Sequence, residues 1–171
     1  VHDHFGTKDK AGMERFLAGE IDDHQFMEWD ISMWKSKDPG VNIKTIEGVL
    51  DKIKLMEGAG ETVSALKNAN IDAVIISAGI DIVANRVGKM LMIDEVYANG
   101  LEIDNNGYLT GKGILGVPLL RKDLVLKHVI KTRGLSDSQI AAVGNSRYDC
   151  PMFLPDTLKF AYKPEDDEIA S

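Results

Sequence analysis

The stretch that decides the fold lies near the carboxyl end of the chain and reads Ala142-Val143-Gly144-Asn145-Ser146-Arg147-Tyr148-Asp149-Cys150-Pro151-Met152. The apolar run before Gly144 predicts a short buried strand, and the polar residues after it predict a tight turn. Asp149 then opens a new helical turn. Open α/β sheets bind ligands at the carboxyl ends of their strands, so this turn predicts a binding site. The alternative is an ordinary strand-to-helix turn that uses Gly, Asn and Asp for their backbone preferences.

Two further stretches, in the same order along the chain, give that turn a family context. Ile75-Ile76-Ser77-Ala78-Gly79, Arg121-Lys122-Asp123 and Gly144 to Asp149 resemble the second, third and fourth motifs of the haloacid dehalogenase (HAD) superfamily of phosphohydrolases. The form of the motifs is similar to that of the phosphoserine phosphatase-like subgroup. The resemblance covers nearly the whole chain. It implies an α/β fold with a HAD-like, Rossmann-type parallel sheet and a small helical cap.

Composition is that of an ordinary globular domain. The 171 residues are 44% hydrophobic and 27% charged, which suits one domain with a small insert. A net charge of -7 without a basic patch argues against nucleic acid as a partner. No apolar run approaches the roughly 20 residues that span a bilayer, and the single cysteine forms no internal disulfide. We therefore predict a cytoplasmic protein that binds neither membrane nor nucleic acid.

Hydrophobic periodicity divides the chain in two. Residues 1–57 carry apolar and aromatic side chains at helical spacing, which predicts a helical cap. Residues 58–171 alternate helical and strand patterns, which predicts an α/β core with a parallel sheet. Within the core, Asn105-Asn106-Gly107 between two apolar runs predicts a β-hairpin.

Ser77, Ala78 and Gly79 form the first candidate binding segment. A hydroxyl after a buried strand, with backbone N–H groups of the following turn and helix, can bind a phosphate oxygen. The alternative is a serine that serves only the turn. The family resemblance implies that Ser77 binds the phosphoryl group of the substrate, with Ala78 and Gly79 beside it.

Lys122 is the second candidate. It falls in the first turn of a predicted helix, where the helix dipole disfavours a cation, and a lysine in that place is suited to an anion. Most helix lysines are simply solvated, and Lys127 on the same helix is the other candidate. The resemblance implies that Lys122 neutralises the phosphate and the attacking carboxylate, so we predict Ser77, Lys122 and Asp149 as catalytic residues.

Asn145 and Asp149 are the predicted metal ligands, and the predicted cofactor is Mg²⁺. The resemblance implies that the first residue of the fourth motif binds the metal directly and that the second binds it directly or through water. Magnesium prefers oxygen ligands and keeps several waters. The family usually has an acid where Asn145 stands, so the sequence predicts weaker magnesium binding, or an inactive protein.

The resemblance also implies an aspartate nucleophile in an Asp-x-Asp motif after the first strand. No buried strand followed by two such acids precedes the predicted cap. We expect that strand and both acids to lie upstream of Val1, so that this chain is incomplete and inactive by itself. Without the strand, the strands around Ile75 and Val143 are expected to have unpaired edges.

The predicted function is that of a Mg-dependent phosphatase acting on a small phosphorylated metabolite through an aspartyl phosphate. Phosphoserine itself is weakly supported, because the cap residues Glu28-Trp29-Asp30 stand where the family places an arginine for the substrate carboxylate. Two alternatives stay open. One is a non-catalytic binding or regulatory domain with the same fold, and the other is a phosphotransferase to an alcohol. The oligomeric state is not predicted.

Overall fold

The computed structural model describes residues 1–170, in two compact units that meet in sequence at Gly116 and Val117. Its helices are α1 (His2–Phe5), α2 (Lys10–Leu17), α3 (Asp23–Lys37), α4 (Ile43–Leu50), α5 (Ala59–Asn68), α6 (Asp81–Leu91), α7 (Lys122–Arg133) and α8 (Asp167–Ala170). Its strands are β1 (Val74–Ile80), β2 (Glu95–Ile103), β3 (Leu109–Ile114), β4 (Ala141–Gly144) and β5 (Leu158–Ala161). Within this part of the chain, no helix is both long enough and apolar enough to cross a membrane.

The first unit begins with the four helices α1 to α4. Asp22 caps α3 by accepting a hydrogen bond from the backbone N–H of Gln25, whose side chain accepts one from the N–H of Asp22. Asn42 caps α4 by accepting a hydrogen bond from the backbone N–H of Thr45. Their apolar faces meet in a core that contains Ile31, Trp34, Val41, Ile46, Leu50 and, from β3, Leu109. The four helices fall within the predicted cap, whose boundary at residue 57 stays a prediction.

The same unit contains a three-stranded sheet in the order β1-β2-β3. β1 and β2 are parallel and are joined by α6, whereas β2 and β3 are antiparallel and form a hairpin. The predicted hairpin is confirmed at Asn105 to Gly107. Its turn is longer than two residues: the N–H of Gly107 donates to the carbonyl of Asp104, and Gly107 has φ +84°. Asp104 Oδ1 accepts the N–H groups of Asn106 and Tyr108, so its carboxylate stabilises the loop.

The second unit contains α7, the parallel pair β4 and β5, and α8. α7 buries Val125, Leu126 and Val129 and ends at Gly134 in the left-handed conformation. β4 contains the apolar run that the sequence predicts to be buried. That prediction is wrong for Val143, which is 60% exposed, whereas Ala142 is 6% exposed. The residue opposite Val143 on β5, Phe160, is 52% exposed, so both side chains belong to an exposed face of the pair.

β1 and β4 are each at the edge of their own sheet. β1 has β2 as its neighbour, and β4 has β5. The exposed apolar side chains of the second pair include Val143, Leu158 and Phe160. These edges agree with the unpaired strands expected from the sequence around Ile75 and Val143.

Candidate functional site

The first part of the candidate site is an irregularity in β1. Ile76 lies opposite Tyr97 and Ile80 lies opposite Asn99, so four steps along β1 match two steps along β2. The three residues between, Ser77 to Gly79, therefore bulge from the ladder of strand pairs. The sequence predicts Ser77 after the strand, and this is wrong, because β1 continues to Ile80 and α6 begins at Asp81. The bulge, rather than a separate turn, removes Ser77 from regular pairing.

Hydrogen bonds fix the bulge from two sides. The N–H of Gly79 donates to Ser77 Oγ at 3.1 Å. A hydroxyl that accepts from Gly79 can still donate its own proton outward. The buried side chain of Asn99 donates to the carbonyl of Ala78 at 2.9 Å and accepts from the N–H of Gly116 at 2.8 Å. Asn99 thus holds the backbone behind Ser77 in place.

The second part of the site is a buried ion pair in the second unit. Lys122 Nζ lies 2.5 Å from Asp149 Oδ1, and both residues are less than a tenth exposed. Lys122 is the first residue of α7, and Asp149 lies in a 3-10 turn, Arg147–Met152, that follows β4. Removing one partner would leave the other charged and buried without compensation, which is strongly unfavourable.

The loop after β4 wraps around the carboxylate of Asp149. Asp149 Oδ2 accepts the backbone N–H groups of Asn145 at 3.0 Å and Ser146 at 3.2 Å. Gly144 permits this approach, because a Cβ built there would lie 2.3 Å from the Cβ of Asp149. Burial acts to raise the pKa of Asp149, but the hydrogen bonds from Lys122 and the two N–H groups outweigh it, and the pKa lies below its usual value. Asp149 is therefore ionised at neutral pH.

A second network holds the start of α7. The buried carboxylate of Asp123 accepts two hydrogen bonds from Arg121, at 2.8 and 3.1 Å, and one from Lys127 at 3.0 Å. Arg121, with help from Lys127, lowers the pKa of Asp123 to about 2, although burial opposes the shift. Lys127, the alternative to Lys122 in the sequence, is thus engaged with Asp123 rather than with Asp149.

Oxygen donors for a cation are present at the end of β4. Asn145 Nδ2 donates to Glu165 Oε1 at 2.8 Å, which turns its amide oxygen to the other side. Asp149 Oδ1 has Lys122 as its hydrogen-bond donor, and an oxygen with two lone pairs can accept a second partner. Across residues 1–170, no group of three or more His, Cys, Asp or Glu side chains is arranged to hold a metal ion. The Asn145 amide oxygen and the Asp149 carboxylate are nevertheless the kind of donor that fits magnesium, which takes few protein oxygens and keeps several waters.

The structure brings three predicted site residues together in the second unit: Lys122, Asn145 and Asp149. Ser77, Ala78 and Gly79 belong to the first unit. Their approach to Lys122 stays a prediction, as do the roles of all these residues. The sequence did not single out Asn99 or Glu165 as site residues. The partners of the Asn99 side chain are visible in the structure and not in the sequence.

Comparison with known proteins gives a consistent result. Residues 8–154 match the family model of the haloacid dehalogenase-like hydrolases. The chain is 30% identical over 155 residues to a phosphoserine phosphatase of Archaeoglobus fulgidus, covering 90% of this chain and 43% of that protein. It is also 30% identical over 148 residues to a phosphoserine phosphatase of Methanocaldococcus jannaschii, covering 85% and 67%. The chain thus spans between less than half and two thirds of the length of these relatives.

The fold agrees with a solved structure described as a phospho-aspartyl intermediate analogue of phosphoserine phosphatase. The TM-score is 0.75 at 27% sequence identity, and the match covers 94% of this chain and 76% of that one. The predicted α/β fold with HAD-like parallel strands is confirmed. On the strength of the family match over most of its length, this chain belongs to the haloacid dehalogenase-like hydrolases.

Proposed function

We propose that the protein is a magnesium-dependent phosphomonoester hydrolase that acts on a small phosphorylated metabolite in the cytoplasm. The observation that carries the proposal is the buried Lys122–Asp149 pair, with its cation at the first residue of a helix. The relatives named as phosphoserine phosphatases support the reaction class.

The proposed reaction has two steps. A carboxylate attacks phosphorus, the ester P–O bond breaks, and the leaving oxygen takes a proton from a second acid. Water then cleaves the aspartyl phosphate to release inorganic phosphate and the free carboxylate. We assign both acids to a segment upstream of Val1, because no Asp-x-Asp follows a buried strand in this sequence.

Residues of this chain would bind the phosphoryl group. Ser77 would donate its hydroxyl proton to a phosphoryl oxygen while its Oγ accepts from Gly79. The Lys122 ammonium would offset charge on the phosphoryl group, while Asp149 holds it in position. Asn145 would supply an oxygen to Mg²⁺, and that ion, when bound, adds positive charge that stabilises the developing negative charge.

The substrate is proposed as a phosphate ester other than phosphoserine. In the cap neighbourhood where the family carries an arginine, this chain has Glu28-Trp29-Asp30, and the carboxyl group of Asp30 interacts with that of Asp9. Two carboxyl groups do not attract a substrate carboxylate. A panel of phosphorylated alcohols, sugars and amino acids would identify the preferred class, and selective hydrolysis of phosphoserine would contradict this proposal.

The test of function is phosphate release from p-nitrophenyl phosphate by the product of the gene extended upstream of the Val1 codon. We expect activity that EDTA abolishes and Mg²⁺ restores. Lys122→Met should lower kcat/KM by roughly a hundredfold or more, whereas Lys127→Met, a matched lysine on the same helix, should change it by less than about threefold. Equal effects of the two substitutions would contradict the role of Lys122.

Asn145 favours a second candidate function, that of a non-catalytic binding domain with the same fold. A neutral amide at a metal position weakens cation binding. Such a protein would bind a phosphorylated ligand without hydrolysing it. Hydrolysis of no ester in the panel, together with measurable binding of inorganic phosphate, would favour this candidate.

A further inference from the structure

Glu165 lies against the one residue of the fourth motif that departs from the family. Its backbone N–H donates to the carbonyl of Asn145 at 2.7 Å, and its Oε1 accepts from Asn145 Nδ2 at 2.8 Å. The segment after β5 is thereby fixed to the end of β4 through both main chain and side chain. A carboxylate thus lies within one hydrogen bond of the position where a neutral amide replaces an acid.

Glu165 differs from the neighbouring carboxylates of the loop, Asp149 and Asp166, in what its oxygens contact. Asp149 is compensated by Lys122, and its Oδ2 accepts two backbone N–H groups. Asp166 accepts the N–H groups of Arg147 and Ile169, one on each oxygen. Glu165 is exposed, and none of the ion pairs found in residues 1–170 involves it.

The spacing suits two ligands of one magnesium ion. Magnesium binds oxygen octahedrally at about 2.0–2.1 Å, so adjacent ligand oxygens are about 2.9 Å apart. The distance from Asn145 Nδ2 to Glu165 Oε1 is 2.8 Å. A half-turn of the amide about its Cβ–Cγ bond exchanges Nδ2 and Oδ1 and presents two oxygens at this spacing.

We propose that Glu165 supplies the metal-binding carboxylate that position 145 lacks, with Asn145 as the neighbouring oxygen ligand. The inference rests on the proposed function, because it assumes the magnesium site of that reaction. Under this proposal the amide at position 145 does not remove the carboxylate from the metal site. The carboxylate comes instead from a residue twenty positions later in the sequence. The site therefore keeps its negative charge.

The experiment titrates the gene product with Mn²⁺ and measures the free ion by its electron paramagnetic resonance signal. A parallel titration contains Mg²⁺ as a competitor. Glu165→Gln keeps an oxygen that can accept from Asn145 and removes the charge. We expect it to weaken Mn²⁺ binding roughly tenfold or more. Asp167→Asn removes the same charge two residues away and should change the affinity by less than about twofold.

The second part of the experiment measures Glu165→Gln in the Asn145→Asp variant. A carboxylate in either place should suffice, so Glu165→Gln should weaken Mn²⁺ binding much less in the Asn145→Asp background than in the native one. Equal losses in both backgrounds, or native affinity in Glu165→Gln, would overturn the proposal and leave the phosphatase function standing. Native Mn²⁺ binding without hydrolysis of any ester would reject the function alone. A native protein that binds no Mn²⁺ at millimolar concentration would overturn both.

Discussion

The carboxyl pair of Asp9 and Asp30 should make the stability of the helical region depend on pH in an unusual direction. Asp9 precedes α2, Asp30 lies in α3, and one oxygen of each carboxyl group is buried without a hydrogen-bond partner. Burial, followed by the interaction with Asp9, raises the pKa of Asp30 to about 8. His2 Nε2 lies 3.3 Å from Asp30 Oδ1, but burial lowers the pKa of His2, so this ring is neutral where Asp30 ionises.

The sign and size follow from proton linkage. A carboxyl with a raised pKa in the folded state gives its full stability below the unfolded value of about 4, and that stability is lost as pH rises through about 8. Each pH unit in this window is worth about 1.4 kcal/mol, which sets a ceiling near 6 kcal/mol. Because the Asp30 side chain is still 22% exposed, we expect a loss of about 2–3 kcal/mol.

The perturbation is Asp30→Asn, which keeps the shape and removes the ionisable proton. Near pH 5 the variant should unfold with about the native free energy, and at pH 8.5 it should be more stable by about 2 kcal/mol. Urea unfolding followed by tryptophan fluorescence suits this test, because both tryptophans, Trp29 and Trp34, lie in α3. Glu28→Gln on the same helix is the control and should show no such pH-dependent gain. A constant difference between Asp30→Asn and native protein from pH 5 to 8.5 would refute the raised pKa of Asp30.

Three other predictions concern the candidate site. Gly144→Ala should lower the free energy of unfolding by about 2–3 kcal/mol, because its Cβ would clash with Asp149, and urea unfolding measures this. Asn99→Ala should cost about 1–3 kcal/mol because the two hydrogen bonds of its side chain to the backbone are lost, and thermal unfolding would show whether it does. Asp123→Asn should cost about 1–2 kcal/mol at pH 7; since the folded pKa is lowered, that cost should shrink as pH falls from 4 to 2, and an unchanged cost at pH 3 would contradict it.

Features set by local chemistry could be predicted from the sequence. The hairpin at Asn105 to Gly107 follows from residues that tolerate the turn and from apolar runs on both sides. The helix predicted to have Lys122 in its first turn is confirmed, because α7 begins at Lys122. In each case the information lies within a dozen residues, so periodicity and turn preference suffice.

Features that depend on distant partners could not be predicted. Val143 has the composition of a buried strand residue, but its exposure depends on whether another element packs on that face of β4. The bulge at Ser77 depends on the register of β1 against β2, which no local pattern fixes. The aromatic stripe of α3 correctly indicates packing, yet nothing in it reveals that Asp30 contacts Asp9, a residue 21 positions earlier.

Asp149 and Asn145 differ in how much they say about function, because the fold requires the side chain of only one of them. Asp149 accepts two backbone N–H groups and the Lys122 ammonium, so replacing it would disrupt the loop whether or not the protein is catalytic. Its presence therefore follows from folding alone. Asn145 reaches Asp149 through its backbone N–H, and an aspartate could donate that hydrogen bond equally well. The side chain at position 145 is thus free of this structural demand, and its contact with Glu165 is the observation on which the proposed metal site rests. Metal affinity measured in variants of positions 145 and 165 consequently tests the proposed metal site, and hydrolysis of a phosphate ester decides between the two candidates; the retention of Asp149 decides neither.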